Sequence, residues 1–566
     1  MHKRWTIRKH DADAVNRLAN ELSVRPLIAA LLIARGHDTA EKALQFLNPS
    51  PEDLHEPFLL KGMREAVERI RRAVEAKEKI FIWGDLDVDG TTGTVLLRRT
   101  FALLGLETDF HITNRFTESR GLNIEPLQAA RDAGYTVVVS VDTGTSSCDE
   151  VAFANSIGLD AIICDHHEVG SDAVLPAAAA LINPFQAGCE YPDNNLAGVG
   201  VAFKLAHALL REYGLEHEIP PLLKIAALGT VADVVDLTGE NRAIVALGLK
   251  DLRRTDNWGL KALMEVADCN AEMTSYDIGF RIGPRINAAG RIDVGTHVVE
   301  LLESDDFTKA RGLAGLLDTR NRERQKLQRE VTESAILEAS SFPDPNFVVV
   351  AANGWHKGVV GLAASRVAEK FHRPAIVFSI EDGIATGSAR SIAGFDLFEA
   401  LGSAADLLET FGGHVAAAGM KAKEANIDAI RDRLDAYAAG LISGDARTPE
   451  LKIDAVVTPQ TLNLKLVEEL AMFEPFGAGN PKPVFVTRGL YLSGEPFVMK
   501  DKHLKLKLTS DAGYKFEAVW WDGVERSKGQ TLTAGTGIEL AYVADANSWQ
   551  GNTRLQLVVQ DLRADN

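Results

Sequence analysis

The chain has 566 residues, more than one hydrophobic core normally organises, so we expect several domains. Its residues are 46% hydrophobic and 25% charged, a balance that excludes a disordered or fibrous protein. The net charge of −18 excludes a surface covered with basic patches, although a narrow basic channel on an acidic body could still bind nucleic acid.

The first residues and the cysteines bear on location. Residues 1–10 carry charges and no apolar stretch, so we expect no secretory signal, and no apolar run is long enough to cross a bilayer. Among the four cysteines no pair has Cys-x-x-Cys spacing, which argues against a zinc site or a redox motif. We therefore expect reduced thiols, a cytoplasmic location and no membrane association.

The first half of the chain predicts a helical N-terminal lead-in over residues 1–48 and an α/β domain over 49–245. In the α/β domain, helical patterns alternate with short runs rich in Val and Ile, which indicate a parallel sheet buried on both faces. The predicted helices there are 63–76, 91–104 and 125–133, and the predicted strands are 79–83, 108–112, 136–141 and 160–164.

The second half predicts three further regions. Residues 246–340 form linking helices, of which the last, at 305–340, is long and rich in charge. Residues 341–445 predict a second α/β domain. From 446 to 566, short strands separated by Gly and Pro predict a small antiparallel barrel, with strands at 504–508, 516–520, 538–543 and 554–559.

Acidic residues follow three of the predicted parallel strands. Asp85, Asp87 and Asp89 follow the strand that ends at residue 83, Asp142 follows the strand that ends at 141, and Asp165-His166-His167 follows the strand that ends at 164. The carboxyl ends of parallel strands meet at one edge of a sheet, where ligands bind. We therefore expect these side chains to converge.

Carboxylate oxygens and imidazole nitrogens are ligands for divalent cations such as manganese. Without a cation, so many carboxylates would repel each other. The pattern Asp-x-Asp-x-Asp-Gly also begins a calcium-binding EF-hand loop, but that loop needs Glu at its twelfth position and this chain has Leu96 there. The sequence therefore predicts a metal-dependent phosphoesterase.

These motifs resemble those of the DHH phosphoesterase superfamily, which a fourth segment, Ala232-Asp233-Val234-Val235-Asp236, also matches. Further segments resemble the RecJ family within it. They are Asn114-Arg115-Phe116, Leu196-Ala197-Gly198-Val199-Gly200, Gly283-Pro284-Arg285-Ile286-Asn287-Ala288-Ala289-Gly290-Arg291, Gly354-Trp355-His356-Lys357-Gly358, Gly387-Ser388-Ala389-Arg390-Ser391, Gly412-Gly413-His414 and Pro475-Phe476-Gly477-Ala478-Gly479-Asn480-Pro481.

The resemblance implies the fold and the activity. The fold would be a parallel-sheet DHH domain, a long connecting helix, a DHH-associated α/β domain and a C-terminal OB-fold barrel. The activity would be 5′-to-3′ exonucleolytic hydrolysis of single-stranded DNA to 5′-mononucleotides, with two Mn²⁺ or Mg²⁺ ions in the active site. Roles in recombination, mismatch repair and other DNA repair follow, with single-stranded-DNA-binding protein and a RecQ-type helicase as partners of a monomeric enzyme.

The resemblance also implies roles for individual residues. Asp87 and Asp89 would be terminal metal ligands, Asp142 the bridging carboxylate, and His166 and Asp233 would complete the second site. Asp85 would ligate a metal or hold a water molecule. Asp165 would orient His166, and His167 would meet the scissile phosphate.

Other residues are candidates for binding DNA. Arg115, Arg285, Arg291, Ser388 and Arg390 are the expected 5′-phosphate pocket, because guanidinium groups match phosphate geometry, and His414 would contact phosphate. Arg120 stands where the family usually has an aromatic residue. In the barrel, Lys505, Lys507 and Trp520 predict a basic and aromatic groove for single strands.

Two other functions fit part of the pattern. A nanoRNase or cyclic-dinucleotide phosphodiesterase would share the acidic motifs but lack the C-terminal barrel. A DNA-binding relative with a decayed metal site would lack the carboxylates that are intact here. A nuclease assay on labelled single-stranded DNA, with and without manganese, separates these alternatives.

Overall fold

The structure is a computed structural model that describes residues 3–115, 117–170, 173–269, 272–292, 295–442, 444–549 and 551–564. The chain divides into two compact units. The N-terminal unit contains Asp11–Asn321 together with Glu468–Lys482, and the C-terminal unit contains Met1–His10, Arg322–Val467 and Pro483–Asn566. Among the described helices, none is both long and apolar enough to span a bilayer. All four cysteines are free thiols.

The N-terminal lead-in differs from its prediction. Its elements are β1 (Arg4–Ile7), α1 (Ala12–Leu22), α2 (Pro26–Ala34) and α3 (Ala40–Leu47), followed by α4 (Met63–Ala76). Asp11 caps α1 and Thr39 caps α3 by accepting hydrogen bonds from backbone amides. The predicted helical lead-in agrees with α1 to α3 but not with the start of the chain, because β1 is a strand that pairs in parallel with Glu450–Ile453.

A five-stranded parallel sheet organises the N-terminal unit. Its strands are β2 (Ile80–Gly84), β3 (Thr108–Ile112), β4 (Val137–Val141), β5 (Asp160–Cys164) and β6 (Ala180–Ile182), in the order β3-β2-β4-β5-β6. Ile80 and Ile82 face one hydrophobic core, whereas Phe81 and Trp83 face another on the opposite side of the sheet. The predicted parallel sheet buried on both faces is therefore confirmed.

Helices cover this sheet and extend the unit. They are α5 (Val88–Leu103), α6 (Ile124–Asp132), α7 (Cys148–Ser156), α8 (Gly198–Glu212), α9 (Ile219–Ala232), α10 (Gly239–Leu252), α11 (Trp258–Val266), α12 (Ser275–Asp277), a π-helical turn (Ile278–Ile282), α13 (Gly283–Ile292) and α14 (Thr296–Leu302). Helix α5 packs against both α8 and α9. This packing brings the segments that flank those helices to the carboxyl edge of the sheet.

The predicted long connecting helix is α15 (Phe307–Ala339), and the boundary between the two units falls within it. A second α/β domain follows, with β7 (Val348–Asn353), α16 (Val360–Phe371), β8 (Ala375–Glu381), β9 (Ile384–Arg390), α17 (Leu397–Gly402), β10 (Leu408–Gly413), β11 (Ala417–Lys423) and α18 (Ile427–Ala439). Its strand order is β10-β11-β9-β8-β7, and β7 and β8 are parallel.

The last part of the chain forms the predicted barrel. Its elements are β12 (Glu450–Ile453), β13 (Ala455–Val456), α19 (Leu464–Ala471), β14 (Phe485–Leu492), β15 (Phe497–Met499), β16 (His503–Ser510), β17 (Lys515–Trp520), α20 (Gly523–Arg526), β18 (Gly537–Trp549) and β19 (Asn552–Ala564). Pairing of β14 with both β18 and β16 closes the seven-stranded sheet of β13 to β19 on itself. Its strand pairs are antiparallel, as predicted, except for β13 with β14 and β17 with β19, which are parallel.

Candidate active site

The candidate site lies at the carboxyl edge of the parallel sheet. In the register of the sheet Gly84, Val141 and Cys164 are neighbours, so the residues that follow them emerge side by side. Asp87 caps α5 by accepting hydrogen bonds from the backbone amides of Asp89 and Gly90, at 2.9 and 3.2 Å. The acidic motifs are thus brought together by strand register and by one helix cap.

His166 is the centre of the cluster. Its Nε2 lies 3.1 Å from Asp142 Oδ1 and 3.7 Å from oxygens of both Asp89 and Asp233. Three overlapping groups have their ligand atoms within 4.8 Å of one another, and these groups include all six predicted metal ligands. The groups are Asp85, Asp87 and Asp142; Asp89, His166 and Asp233; and Asp142, His166 and His167.

Asp89 is fixed by the start of α8. The backbone amides of Gly198 and Val199 donate to its two carboxylate oxygens at 2.6 and 2.7 Å. Glycine is needed at 198, because a Cβ there would lie 2.6 Å from Asp142 Cβ and 3.0 Å from Asp89 Oδ2. The Leu196-Ala197-Gly198-Val199-Gly200 motif therefore sets the positions of two carboxylates.

Burial and mutual repulsion raise the pKa values of these carboxyl groups. Desolvation, followed by the charge of Asp87, raises the pKa of Asp85 to about 6. Desolvation and neighbouring carboxylates also raise the pKa values of Asp89, Asp142 and Asp233. Burial lowers the pKa of His166, which favours the neutral imidazole that ligates metals. A set of oxygen donors that repel each other, with one neutral imidazole, fits divalent cations.

Asp165 contacts a different histidine from the one expected. Its Oδ1 accepts from His167 Nδ1 at 2.7 Å, whereas from His166 it accepts only the backbone amide, at 2.8 Å. This bond raises the pKa of His167. Burial alone would raise the pKa of Asp165, but the bond and charge of His167 and the bonds from Thr145 hold it below its usual range. The prediction that Asp165 orients the His166 ring was wrong.

The loop that carries Asp233 is held from two sides. Val234 has a φ of 65°, which is strained for a β-branched residue. Asn241 donates to Asp236 O at 3.2 Å, and Leu237 N donates to Ala478 O at 2.8 Å. Ala478 belongs to the Glu468–Lys482 segment, whose backbone carbonyls at Phe473, Glu474 and Pro475 accept hydrogen bonds from Arg242. Sequence patterns gave no indication of this support.

The predicted arginines of the N-terminal unit have different environments. Arg115 is exposed and lies near Asp85 and Asp87. Desolvation lowers the pKa of its guanidinium, and the charges of the two aspartates partly oppose this lowering. Arg285 donates to Asp318, Arg281 O and Val266 O at 2.6 to 3.1 Å, which indicates a structural role. Arg291 is half-buried in the last turn of α13.

Phe116 and Arg120 follow Arg115 in the same segment. Phe116 lies outside the described residues. Arg120 is exposed and lies near Asp85 and His167. Its positive charge acts to lower the pKa of both groups, although the net shift of each is upward. Arg120 therefore adds a cation beside the acidic cluster.

In the C-terminal unit, Ser388 and Arg390 lie beside the start of α16. Arg390 donates to Ser388 Oγ at 3.0 Å and to Ala389 O at 2.7 Å, both neutral acceptors. A Cβ at Gly361, in the first turn of α16, would lie 3.0 Å from Ser388 Oγ and 3.2 Å from Arg390 Nη2. A guanidinium, a hydroxyl and a helix N-terminus close together suit a phosphate group.

His414 lies in the tight connection between β10 and β11. Its side chain is exposed, and its backbone amide donates to Ala417 O at 2.9 Å. Gly413 has a φ of 150° and no room for a Cβ, which would lie 2.4 Å from Ala417 O. The glycine therefore permits the turn that presents His414 to solvent.

The barrel presents Lys507 but not Trp520. Trp520 is 0% exposed and pairs with the core residue Leu504, so its predicted place in a stacking groove was wrong. The exposed indole is that of Trp521, at 51%, which makes an edge contact with His503. Lys505 forms an ion pair with Glu517 at 2.9 Å.

Lys507 lines a cleft of about 610 Å³ on the barrel. Lys515, Phe516, Glu517 and Arg554 also line it, so three cations, one carboxylate and one aromatic ring line the same space. The two further cations, Lys515 and Arg554, were not among the predicted DNA-binding residues, because they come from strands separated in sequence. This composition suits a single-stranded nucleic acid.

Known families match the chain in the order of its domains. The DHH family N-terminal domain matches residues 79–230, the DHHA1 domain matches 344–440, and the RecJ OB domain matches 453–561. Among solved structures, RecJ from Thermus thermophilus in complex with Mn²⁺ has 29% identity and a TM-score of 0.86, and the alignment covers 100% of this chain and 80% of that one. A second exonuclease RecJ bound to manganese has 34% identity and a TM-score of 0.60, over 68% of this chain and 96% of that one.

Curated relatives agree over almost the whole length. The single-stranded-DNA-specific exonuclease RecJ of Bacillus subtilis (strain 168) is 40% identical over 99% of this chain and 70% of its own length. The protein of the same name from Escherichia coli (strain K12) is 33% identical over 99% of this chain and 100% of its own length. The chain therefore belongs to the RecJ family of the DHH superfamily.

Proposed function

We propose that this protein is an exonuclease that hydrolyses single-stranded DNA from its 5′ end and releases 5′-mononucleotides. The observation that carries the proposal is the cluster of five aspartates and His166 at the sheet edge, with ligand atoms within 4.8 Å in each group. Relatives that match the chain over nearly all of its length are named single-stranded-DNA-specific exonucleases. Solved relatives hold Mn²⁺ or Mg²⁺.

The ligand groups support two metal positions. Asp85, Asp87 and Asp142 would hold one ion, and Asp89, His166 and Asp233 the other. Asp142 belongs to the first group and also lies 3.1 Å from His166, which suits a bridging carboxylate. When bound, a metal pair supplies an activated hydroxide and neutralises charge on the phosphoryl group, so no covalent enzyme intermediate is needed.

His167 and Arg115 are proposed to act on the phosphate itself. Asp165 occupies His167 Nδ1, which leaves Nε2 as the ring nitrogen available to substrate. The raised pKa of His167 favours a cationic ring, which would bind an anionic phosphate. Arg115, exposed beside Asp85 and Asp87, would contribute a second cation.

Polarity is proposed to come from recognition of a terminal phosphate. Ser388, Arg390 and the start of α16 lie close together in the C-terminal unit and would bind that phosphate. The barrel cleft with Lys507, Lys515 and Arg554 would bind the rest of the strand without sequence preference. A pocket selective for a terminal phosphate and a groove for single strands together favour exonuclease over endonuclease activity.

Membership in the family supports the biological proposals. We propose that the protein acts as a cytoplasmic monomer in recombination and DNA repair, including mismatch repair. Single-stranded-DNA-binding protein and a RecQ-type helicase are the proposed partners, since a helicase would expose the single strand that the enzyme degrades.

The test uses single-stranded oligonucleotides labelled at either end, with Mn²⁺ added or withheld. With Mn²⁺, a 5′ label should appear at once in mononucleotides, whereas a 3′ label should stay in gradually shorter fragments. Asp142→Ala should fold normally and show no cleavage. Prior loss of the 3′ label, or cleavage by Asp142→Ala, would contradict the proposal.

A second comparison tests the end-recognition pocket. Wild-type protein should degrade 5′-phosphorylated strands faster than strands with a 5′-hydroxyl, and Arg390→Ala should reduce this preference. Equal rates on both ends, unaffected by Arg390→Ala, would remove the pocket from the mechanism while leaving the metal chemistry intact.

A further inference from the structure

Tyr276 and Phe280 form an exposed aromatic pair in the N-terminal unit. Their side chains are 58% and 69% exposed, although both are large and apolar. The two rings stack with centroids 4.7 Å apart and an interplanar angle of 26°. Exposed apolar groups that lie together on a surface usually mark a site of interaction.

The local helix holds both rings outward. Tyr276 lies in α12 and Phe280 in the π-helical turn, one turn apart on the same face. Ile278 and Ile282 take the inward positions and are 0% exposed, and Thr274 with Asp277 forms a capping box at the start of α12. The rings therefore form a preformed surface that needs no rearrangement to accept a planar ligand.

The same helical segment packs against the metal-ligand loops. A Cβ at Gly279 would lie 3.7 Å from Val231, and a Cβ at Gly283 would lie 3.5 Å from Ala232 and 4.0 Å from Val88. Val231 and Ala232 immediately precede Asp233, and Val88 lies between Asp87 and Asp89. Asn287, one turn after Gly283, accepts a hydrogen bond from Val88 N at 3.2 Å. The helical segment that carries the aromatic pair thus packs against the loops that carry three of the candidate ligands.

We propose that Tyr276 and Phe280 are a stacking site for a nucleobase of the single-stranded DNA substrate, close to the bond that is cut. The inference rests on the proposed exonuclease function. Every base has an aromatic face, so stacking on such a pair holds a strand without reading its sequence. Arg281, the next residue, is half-buried and forms an ion pair with Asp277 at 3.3 Å, so it is assigned no contact with DNA. The pair itself carries no charge, so a base fits it better than a phosphate.

The test measures kcat and KM of Tyr276→Ala and Phe280→Ala on 5′-phosphorylated single strands. We expect a loss of about tenfold in kcat/KM for each variant, with Phe280→Trp and Tyr276→Phe close to wild type. Mn²⁺ binding, followed by electron paramagnetic resonance, should not change, because neither residue belongs to the groups of candidate ligands. Trp258→Ala is the matched control, since Trp258 is 40% exposed in another aromatic pair of the same unit.

Substrates with a single abasic position identify the occupant. Removal of the base at one position near the 5′ end should lower the rate at which wild-type protein degrades the strand. On that abasic strand, Phe280→Ala should lower the rate no further. The pair does not stack a base if both alanine variants degrade naked single strands as fast as wild type. The same conclusion follows if their loss of kcat/KM is as large on every abasic strand as on the intact strand. In either case a protein partner becomes the occupant of the pair. An inactive wild-type protein would instead contradict the proposed exonuclease function.

Discussion

Replacement of Gly198 by alanine should damage the metal centre without unfolding the protein. The new Cβ would lie 2.6 Å from Asp142 Cβ and 3.0 Å from Asp89 Oδ2. The added methyl group costs about 1–3 kcal/mol of strain, while alanine in place of glycine at a helix position returns up to about 1 kcal/mol. The net loss of stability is therefore modest. Because both carboxylates must move, we expect Mn²⁺ affinity to fall by about 10- to 100-fold.

The assay is a Mn²⁺ titration followed by electron paramagnetic resonance, combined with kcat on single-stranded DNA at each Mn²⁺ concentration. Gly200→Ala is the control, because it lies in the same helix and the atom nearest to its Cβ would be Leu196 Cβ, at an ordinary contact distance of 3.4 Å. We expect Gly200→Ala to bind Mn²⁺ like wild type. If Gly198→Ala also bound Mn²⁺ with unchanged affinity, the inferred dependence of Asp89 and Asp142 on this helix start would be refuted.

Three further predictions concern pH, the barrel and the Asp233 loop. In the metal-free protein the pKa of Asp85 is raised from its ordinary value of 3.8 to about 6. The stability that this carboxyl contributes is therefore complete below about pH 4 and is lost as pH rises through 6. The Tm of the metal-free protein should therefore fall as pH rises from 4 to 6, and Mn²⁺ should raise Tm more above pH 7 than near pH 5. A rise in the metal-free Tm between pH 4 and 6 would contradict this expectation. Trp521→Ala should weaken single-strand binding without changing Tm, whereas Trp520→Ala should lower Tm, because only Trp520 is fully buried. Gly479→Ala should weaken Mn²⁺ binding, because its Cβ would lie 2.9 Å from Asp236. Gly513→Ala is the control, because Gly513 also has a positive φ but has open space around it. Equal Mn²⁺ affinities of the two variants would exclude support of the Asp233 loop by the Glu468–Lys482 segment.

Local patterns predicted the parts of the fold that depend on local physics. The runs of Val at 137–139 and of Ile at 162–163 predicted strands, and all of these residues are buried. Because acidic residues follow β2, β4 and β5, the convergence of Asp85, Asp142 and His166 could be inferred from the sequence. In β16 the buried residues Leu504, Leu506 and Leu508 alternate with more exposed ones, as the two-residue period of a strand requires.

Features that depend on contacts distant in sequence could not be predicted. The strand Arg4–Ile7 exists because it pairs with Glu450–Ile453, and no local pattern indicates a partner so far along the chain. The burial of Trp520 follows from its register opposite Leu504, which places both on the core face.

The most direct test of the account is the position of metal ions in crystals grown with Mn²⁺, located by anomalous scattering. Two ions should lie about 3.5–4 Å apart, and both should contact Asp142. One should be held by Asp85 and Asp87, and the other by Asp89, His166 and Asp233. A single ion, or a pair of ions that does not contact Asp142, would contradict the proposed two-metal centre.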